Sequence, residues 1–526
     1  MRHRNSASFA PILKGLAFAV LGTVANTAAA QSTAANATEG PLSVIDWLGT
    51  QETAKPTLKP KPVVPNEPPV TQNGSAPKVA VTPLGGGAPR QIGLVPSNIT
   101  GLPNNLWQGS SLPKITALIK NLPDLGLPAA QSLLYTLLLA EVDAPGGNAV
   151  SGDALALARV EKLVQLGALD PALSLIEQAG VPTSSSHFDL WMRISLLTGT
   201  EDRACAVLRS APHLTTDYGT RIFCAARAGQ WENAALTFGS AQALELLSTE
   251  KLALIDRFLH PDAFEESAPL RPLRNMDPLC FRLFETIGEP QPTRTLPRAY
   301  AVADLRDLAG WKAQIEAAER LTRAGALPDN RLLGLYTERR PAASGGVWDR
   351  VAAIQRFETA LATKSSEAVA KTLHRAWAAM QEAGLEIAFA NLFALDLSEI
   401  ALTGRPAKTA AIVALLSAQY EEAAADTQPV SFATEIARAE VTSRRPSSST
   451  NAALYDAFSD APPRADLVAM AQQSRLGEGL LHTLSLLQNG ADGDANALRD
   501  ALATLRALGL EDTARRAALQ VLLLDR

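Results

Sequence analysis

The run Gly229-Gln230-Trp231-Glu232-Asn233-Ala234 reads as the end of one helix and the start of the next. A glycine tolerates the left-handed turn that closes a helix. An acidic residue three positions on meets the positive end of the following helix dipole. An alanine two positions further lets that helix approach a neighbour closely. Three more stretches repeat the pattern: Gly167-Ala168-Leu169-Asp170-Pro171-Ala172, Gly199-Thr200-Glu201-Asp202-Arg203-Ala204 and Gly509-Leu510-Glu511-Asp512-Thr513-Ala514. The first three start at 167, 199 and 229, so they lie 32 and 30 residues apart.

Outward from these joins the pattern stays helical. Segments 128–142, 153–166, 187–198, 311–324, 347–362, 366–383 and 495–508 place apolar residues three and four apart, as helices packed on one side require. Gly180, Gly199, Gly229, Pro328, Gly404 and Gly509 punctuate the joins. The chain is 47% hydrophobic but only 5% aromatic, so its apolar content is mainly Ala, Leu and Val. Ala and Leu favour helix, whereas a β-sandwich needs more aromatic and β-branched residues. Short connections between helices imply antiparallel neighbours. The expected fold is all-α, an α-solenoid-like array of antiparallel helical hairpins; the bland alternative is an irregular array whose helix breaks merely share the same chemistry.

The period and the Gly229, Trp231, Ala234 set resemble the tetratricopeptide repeat family, whose repeats have a Gly, an aromatic two residues on and a small residue at the fifth position. The other copies lack the aromatic and the spacing is a little short, so no binding residue carries over. The whole chain is also similar to a group of uncharacterised exported bacterial proteins sometimes labelled antifreeze glycopeptide polyproteins. That likeness rests on Gly101-Leu102-Pro103-Asn104-Asn105-Leu106-Trp107, on Leu134-Tyr135-Thr136-Leu137-Leu138-Leu139-Ala140-Glu141, and on Leu335-Tyr336-Thr337-Glu338-Arg339 with Ser344-Gly345-Gly346-Val347-Trp348-Asp349-Arg350. It implies no activity, and the Ala-Ala-Thr tandem arrays of antifreeze glycopeptides do not occur here.

The first thirty residues read as a signal peptide: Arg2, Arg4 and Lys14, then the apolar run 15–24, then Ala28-Ala29-Ala30 before an expected cleavage ahead of Gln31. An uncleaved anchor is the alternative, although the run is about half the length that crosses a bilayer. No later stretch approaches a membrane span. Cleavage removes three basic and no acidic residues, moving the formal charge from −5 to −8. That balance gives no footprint for nucleic acid. Residues 31–111 form an expected disordered tail, because Pro56, Pro60, Pro62, Pro65, Pro68, Pro69, Pro77, Pro83 and Pro89 recur too closely for helix or sheet. Within it Ile45, Trp47 and Leu48 are a candidate docking motif, or simply a leftover apolar patch. The expected domains are then a helical body over 112–442, a polar hinge over 443–450 and a C-terminal helical segment over 451–526.

Cys205 and Cys224 flank one expected turn near 212–217, which would set their thiols at matching heights on adjacent helices. A bridge there, worth about 3 kcal/mol in the chain-entropy picture, stands against two reduced, buried cysteines. Cys280 is a core residue or the true partner of either. No His or Cys set has metal-ligand spacing, and no cofactor fingerprint occurs. Asp492-Gly493-Asp494 imitates a calcium loop but lacks its sixth-position Gly and closing Glu, so it reads as a helix start. The segment 336–350 is richest in functional groups. Tyr336, Glu338, Arg339, Arg340, Trp348, Asp349 and Arg350 form a candidate partner surface, with an Arg–acid network between helices as the structural alternative. The functional expectation is an exported scaffold or adaptor, periplasmic or in the cell envelope, without catalysis, that binds other envelope proteins through a concave helical surface. The alternative is a peptidoglycan-acting enzyme using Glu338, although the catalytic-domain signature of helical lytic transglycosylases is missing.

Overall fold

The computed structural model describes residues 91–526 except 148, 182–183, 307, 428 and 525–526. The signal-peptide segment and the Ile45, Trp47, Leu48 motif lie outside the described residues. The described chain is all-helical, with two isolated β-bridges, Ile92 with Val142 and Val95 with Ala140. None of its helices is long and apolar enough to cross a membrane.

Two single turns, Ser97–Thr100 and Ala301–Asp304, accompany longer helices in three successive sets. The first set is α1 (Leu112–Asn121), α2 (Pro128–Leu139), α3 (Ala149–Leu166), α4 (Leu169–Ala179), α5 (Ser185–Thr198), α6 (Glu201–Ser210), α7 (Tyr218–Arg227), α8 (Trp231–Ala243), α9 (Thr249–Leu259) and α10 (Pro278–Thr286). The second is α11 (Trp311–Thr322), α12 (Asp329–Thr337), α13 (Val347–Ala362), α14 (Ser366–Glu382), α15 (Glu386–Ser398) and α16 (Gly404–Leu416). The third is α17 (Tyr420–Asp426), α18 (Phe432–Arg438), α19 (Ser449–Phe458), α20 (Ala465–Gln472), α21 (Leu476–Ala491), α22 (Ala495–Ala507) and α23 (Glu511–Leu523). The seven helices expected from periodicity all form, with ends shifted by a few residues. Short polar side chains start many of the helices: Ser184, Asp217, Ser248, Asp277, Ser365, Ser448 and Asp494 each accept a first-turn amide. Asp494, from the calcium-like stretch, is one of these caps.

The four echoed joins share one geometry. Gly167, Gly199, Gly229 and Gly509 all have φ between 74° and 84°, where a Cβ is strained. The residue after each glycine donates five residues back, Ala168 to Leu163, Thr200 to Ser195, Gln230 to Ala225 and Leu510 to Leu505. This satisfies carbonyls that the helix end would orphan. Asp170, Asp202, Glu232 and Asp512 then sit in the first turn of the next helix. Ala172, Ala204, Ala234 and Ala514 are fully buried.

Neighbours in sequence pack as neighbours in space from α3 through α10 and from α11 through α18. The chain then turns back on its first described helices. Helix α21 packs on α1 and α2, and α23 packs on α2, α16 and α18. One continuous core accordingly joins Leu106 and Leu163 to Leu454, Leu480 and Leu498, and a second core fills 301–416. Residues 451–526 are therefore not set apart by the polar stretch 443–450. That stretch is tied to both flanking helices, to α18 by Thr442 and Ser443 donating to Glu435 and to α19 by Arg445 paired with Asp456.

The expected tail boundary at 111 falls too late. Ile92, Leu102, Leu106 and Trp107 are buried in the core. Gly93 lies so close to the backbone of α2's end that a Cβ there would fall 2.2 Å from the Ala140 carbonyl oxygen. Arg159, fully buried on α3, donates to the carbonyls of Leu138, Ala140 and Ile92 at 2.6–2.8 Å. Three carbonyls thus satisfy a charge that would otherwise be prohibitive inside a protein. Burial lowers the Arg159 pKa to about 10, still far above neutral pH.

Candidate functional site

The expected partner surface over 336–350 separates into an inner and an outer part. Tyr336, on the buried side of α12, donates its hydroxyl to Glu319 of α11 at 2.8 Å. Arg350 of α13 grips the same carboxylate with two nitrogens, at 2.7 and 2.9 Å. Burial, then the Glu319 charge, pushes the Tyr336 hydroxyl well above its ordinary pKa, so it stays a donor. Trp348 rests half-buried against Trp311, ring centroids 5.1 Å apart. Tyr336, Trp348 and Arg350 therefore tie α11, α12 and α13 together. Glu338, Arg339, Arg340 and Asp349 remain exposed, and Glu338 pairs with its neighbour Arg339 at 2.9 Å.

Cys205 of α6 and Cys224 of α7 are joined by a disulfide, with Cα atoms 4.9 Å apart. The turn between them is a 3₁₀ segment, Pro212–Leu214, followed by the Asp217 cap of α7. Cys280 is a free, buried thiol on α10. Burial first, then Asp277, pushes its pKa up, so it is held as the unreactive thiol. The bridge fastens α7, on which α8 packs, to α6.

Helix α8 buries only Ala234, Phe238 and Ala241. Leu236, on the side opposite these, is 72% exposed, and Leu244, just past the last turn and about 80° round from it at about 100° per residue, is 66% exposed, with exposed Gly239, Ser240 and Ala243 between them in sequence. Trp231 at its start is half-exposed, leaning on Phe258 of α9 with ring centroids 6.2 Å apart. Glu232 is the only charged residue on α8. Large apolar side chains at this exposure, grouped on one element, typify surfaces that another molecule covers. In the sequence 229–234 reads as a helix join, a local pattern that does not single out this face. The available signal was apolar residues all round the helix (Ala235, Leu236, Phe238, Ala241, Ala243, Leu244), more than one buried stripe uses.

Among the described residues no group of three or more His, Cys, Asp or Glu is placed to hold a metal ion. No family model matches the chain, and no curated protein or solved structure matches it.

Proposed function

We propose that this protein is an exported helical scaffold that holds other proteins of the periplasm or cell envelope, without catalysing a reaction on them. The observation that carries this reading is the uncovered apolar face of α8, with Leu236 and Leu244 open to solvent. Burying both would contribute a few kcal/mol to an interface, at about 25 cal/mol per Å² of apolar area removed from water. Serial packing of short helices supports reading the chain as solenoid-like arms of helical hairpins, which present extended surfaces of this kind. The signal-like first thirty residues support the envelope address, and the disulfide suits an oxidising compartment.

The test is affinity capture from envelope extracts with full-length protein, wild type against Leu236→Glu/Leu244→Glu. Both side chains are exposed, so the variant keeps its helical circular dichroism and melting temperature while losing specific partners. Partners retained by the variant would rule out α8 as the binding face. A muropeptide-release assay, wild type against Glu338→Ala, separates this reading from an enzymatic one: activity that depends on Glu338 would overturn the scaffold.

A further inference from the structure

We propose that the pocket formed by Arg298, Arg320 and Arg323, beside the α3–α4 join, binds a phosphate-class dianion. The pocket has a volume of about 310 Å³ and is lined by these three arginines, Asp124, Gln131 and the apolar side chains of Leu125 and Leu166 with Ala324. Three guanidiniums face one carboxylate, so the lining carries a formal charge of +2 (three minus one) in a chain whose total is −5. Such a concentration of like charge repels itself, and an anion in the pocket would relieve that repulsion.

Two of the three arginines are held in place without using all their donors. Arg320 donates to the carbonyls of Thr293 and Leu296, at 3.1 and 2.7 Å. Neutral carbonyls orient its guanidinium and leave its charge uncancelled. Arg298 reaches Asp124 with one nitrogen, at 2.9 Å. Its aliphatic stem lies against Gly167, where a Cβ would sit 3.1 Å from Cγ. The echoed glycine join therefore opens the space that Arg298 occupies. Arg323 is exposed and spends only Nε, on the Glu319 carbonyl at 3.1 Å. Among the described residues no hydrogen bond engages its two terminal nitrogens. Of the carboxylates close by in sequence, Glu319 is turned away to Arg350 and Tyr336, and Glu316 pairs with Lys312.

A guanidinium offers paired N–H donors at the spacing of oxygens on a tetrahedral or planar oxyanion. The charge decides between the two. One carboxylate would leave half of the +2 unbalanced, whereas a phosphate monoester, at about −1.5 to −2 near pH 7, balances it and the more highly charged pyrophosphate does so with charge to spare. Repulsion already felt inside the pocket supports this. Burial first, then Arg298 and Arg323, lowers the pKa of Arg320. Buried Lys162, whose ammonium donates to the Leu122 carbonyl at 2.6 Å, adds to the same positive field.

Calorimetric titration of the full-length protein with pyrophosphate tests the site, with acetate titrated alongside. Arg323→Gln removes one exposed guanidinium, and Arg405→Gln removes a remote exposed one as a control. The expected result is saturable pyrophosphate binding, weakened at least about tenfold in Arg323→Gln (a loss of about 1.4 kcal/mol) and unchanged in Arg405→Gln. Phenylglyoxal labelling of the wild-type protein, read by peptide mapping, needs no variant: pyrophosphate should protect Arg323 but not Arg405. Absence of saturable binding, an equal loss in both variants, acetate binding as tightly as pyrophosphate, or labelling of Arg323 that pyrophosphate does not slow would each overturn the proposal.

Discussion

The indole of Trp107 lies against Gly477 so closely that a Cβ built on that glycine would fall 2.4 Å from the ring. The contact joins two positions 370 residues apart, just before α1 and in the first turn of α21. The Gly477 amide also donates to the Leu106 carbonyl at 3.0 Å, and the Gly109 amide to that of Ser474 at 2.9 Å. Closure of the last helices onto the first described ones is thus built on two missing side chains, since a Cβ on Gly109 would fall 2.1 Å from the Gln473 carbonyl oxygen.

Gly477→Ala should therefore destabilise by about 1–3 kcal/mol through overpacking, although alanine is the better helix former. Trp107→Ala should cost about 3–5 kcal/mol as a cavity. In the Trp107→Ala background the clash is gone, so adding Gly477→Ala should become neutral or stabilising. Chemical denaturation of the four proteins gives the cycle; simple additivity would mean the indole and the glycine do not press on each other.

Glu478, the next residue, is buried and receives two hydrogen bonds from Arg475, at 2.8 and 3.0 Å, and one ion pair from Lys114 of α1 at 2.6 Å. These contacts, Arg475 first, lower its pKa from 4.5 to about 2. A carboxyl depressed in the folded state contributes stability that is present above its unfolded pKa and is lost as pH falls through the folded value. The contribution is about 3 kcal/mol, at 1.36 per unit. Wild-type stability should fall between pH 4.5 and 2 more steeply than that of Glu478→Gln, with the gap largest at neutral pH. Parallel acid limbs for the two proteins would contradict the assignment.

What could be read in advance follows the range of the interactions. The four Gly-to-Ala joins are local chemistry, a carbonyl five residues back and a charge on the next turn, and they form as their residues predict. The docking of residues 91–107 was not legible, because Gly93 and Trp107 acquire their meaning from Ala140 and Gly477 far along the chain. Proline-rich composition upstream then drew the tail boundary too far. Tyr336 and Arg350 look like surface groups until Glu319, on the preceding helix, turns them inward. In α8 the apolar excess was visible, but only packing shows which side remains uncovered.

The Glu319 network should register as stability rather than as binding. Glu319→Ala strands the partly buried Arg350 charge, at a cost of up to about 3–5 kcal/mol. Tyr336→Phe removes one hydrogen bond to a charged acceptor, at a cost of about 1.5–3 kcal/mol. Arg340→Ala, at an exposed position without such ties, should stay within about 0.5 kcal/mol. Thermal melts of the three variants check the order. A Tyr336→Phe protein that melts like wild type but loses partners would return Tyr336 to the recognition surface.

The disulfide gives a residue-level prediction with three distinguishable outcomes. Adjacent helices bring Cα atoms within the bridging range of about 7 Å only where small side chains permit. Ala204, buried beside Cys205, and Ala225 and Ala226 beside Cys224 provide that room, and the observed separation is 4.9 Å. Protein purified without reductant should yield a Cys205–Cys224 peptide pair on non-reducing mapping. Cys280 should alkylate only after unfolding, because it is buried with a raised pKa. The loop closed by the bridge spans 19 residues, so Cys205→Ser/Cys224→Ser should lose about 3 kcal/mol, and dithiothreitol should no longer shift its melting temperature. Recovery of Cys280 in a bridge would place α10 against the wrong helix. Recovery of three free thiols would remove the bridge, and a double-serine variant as stable as wild type would leave it without a structural role.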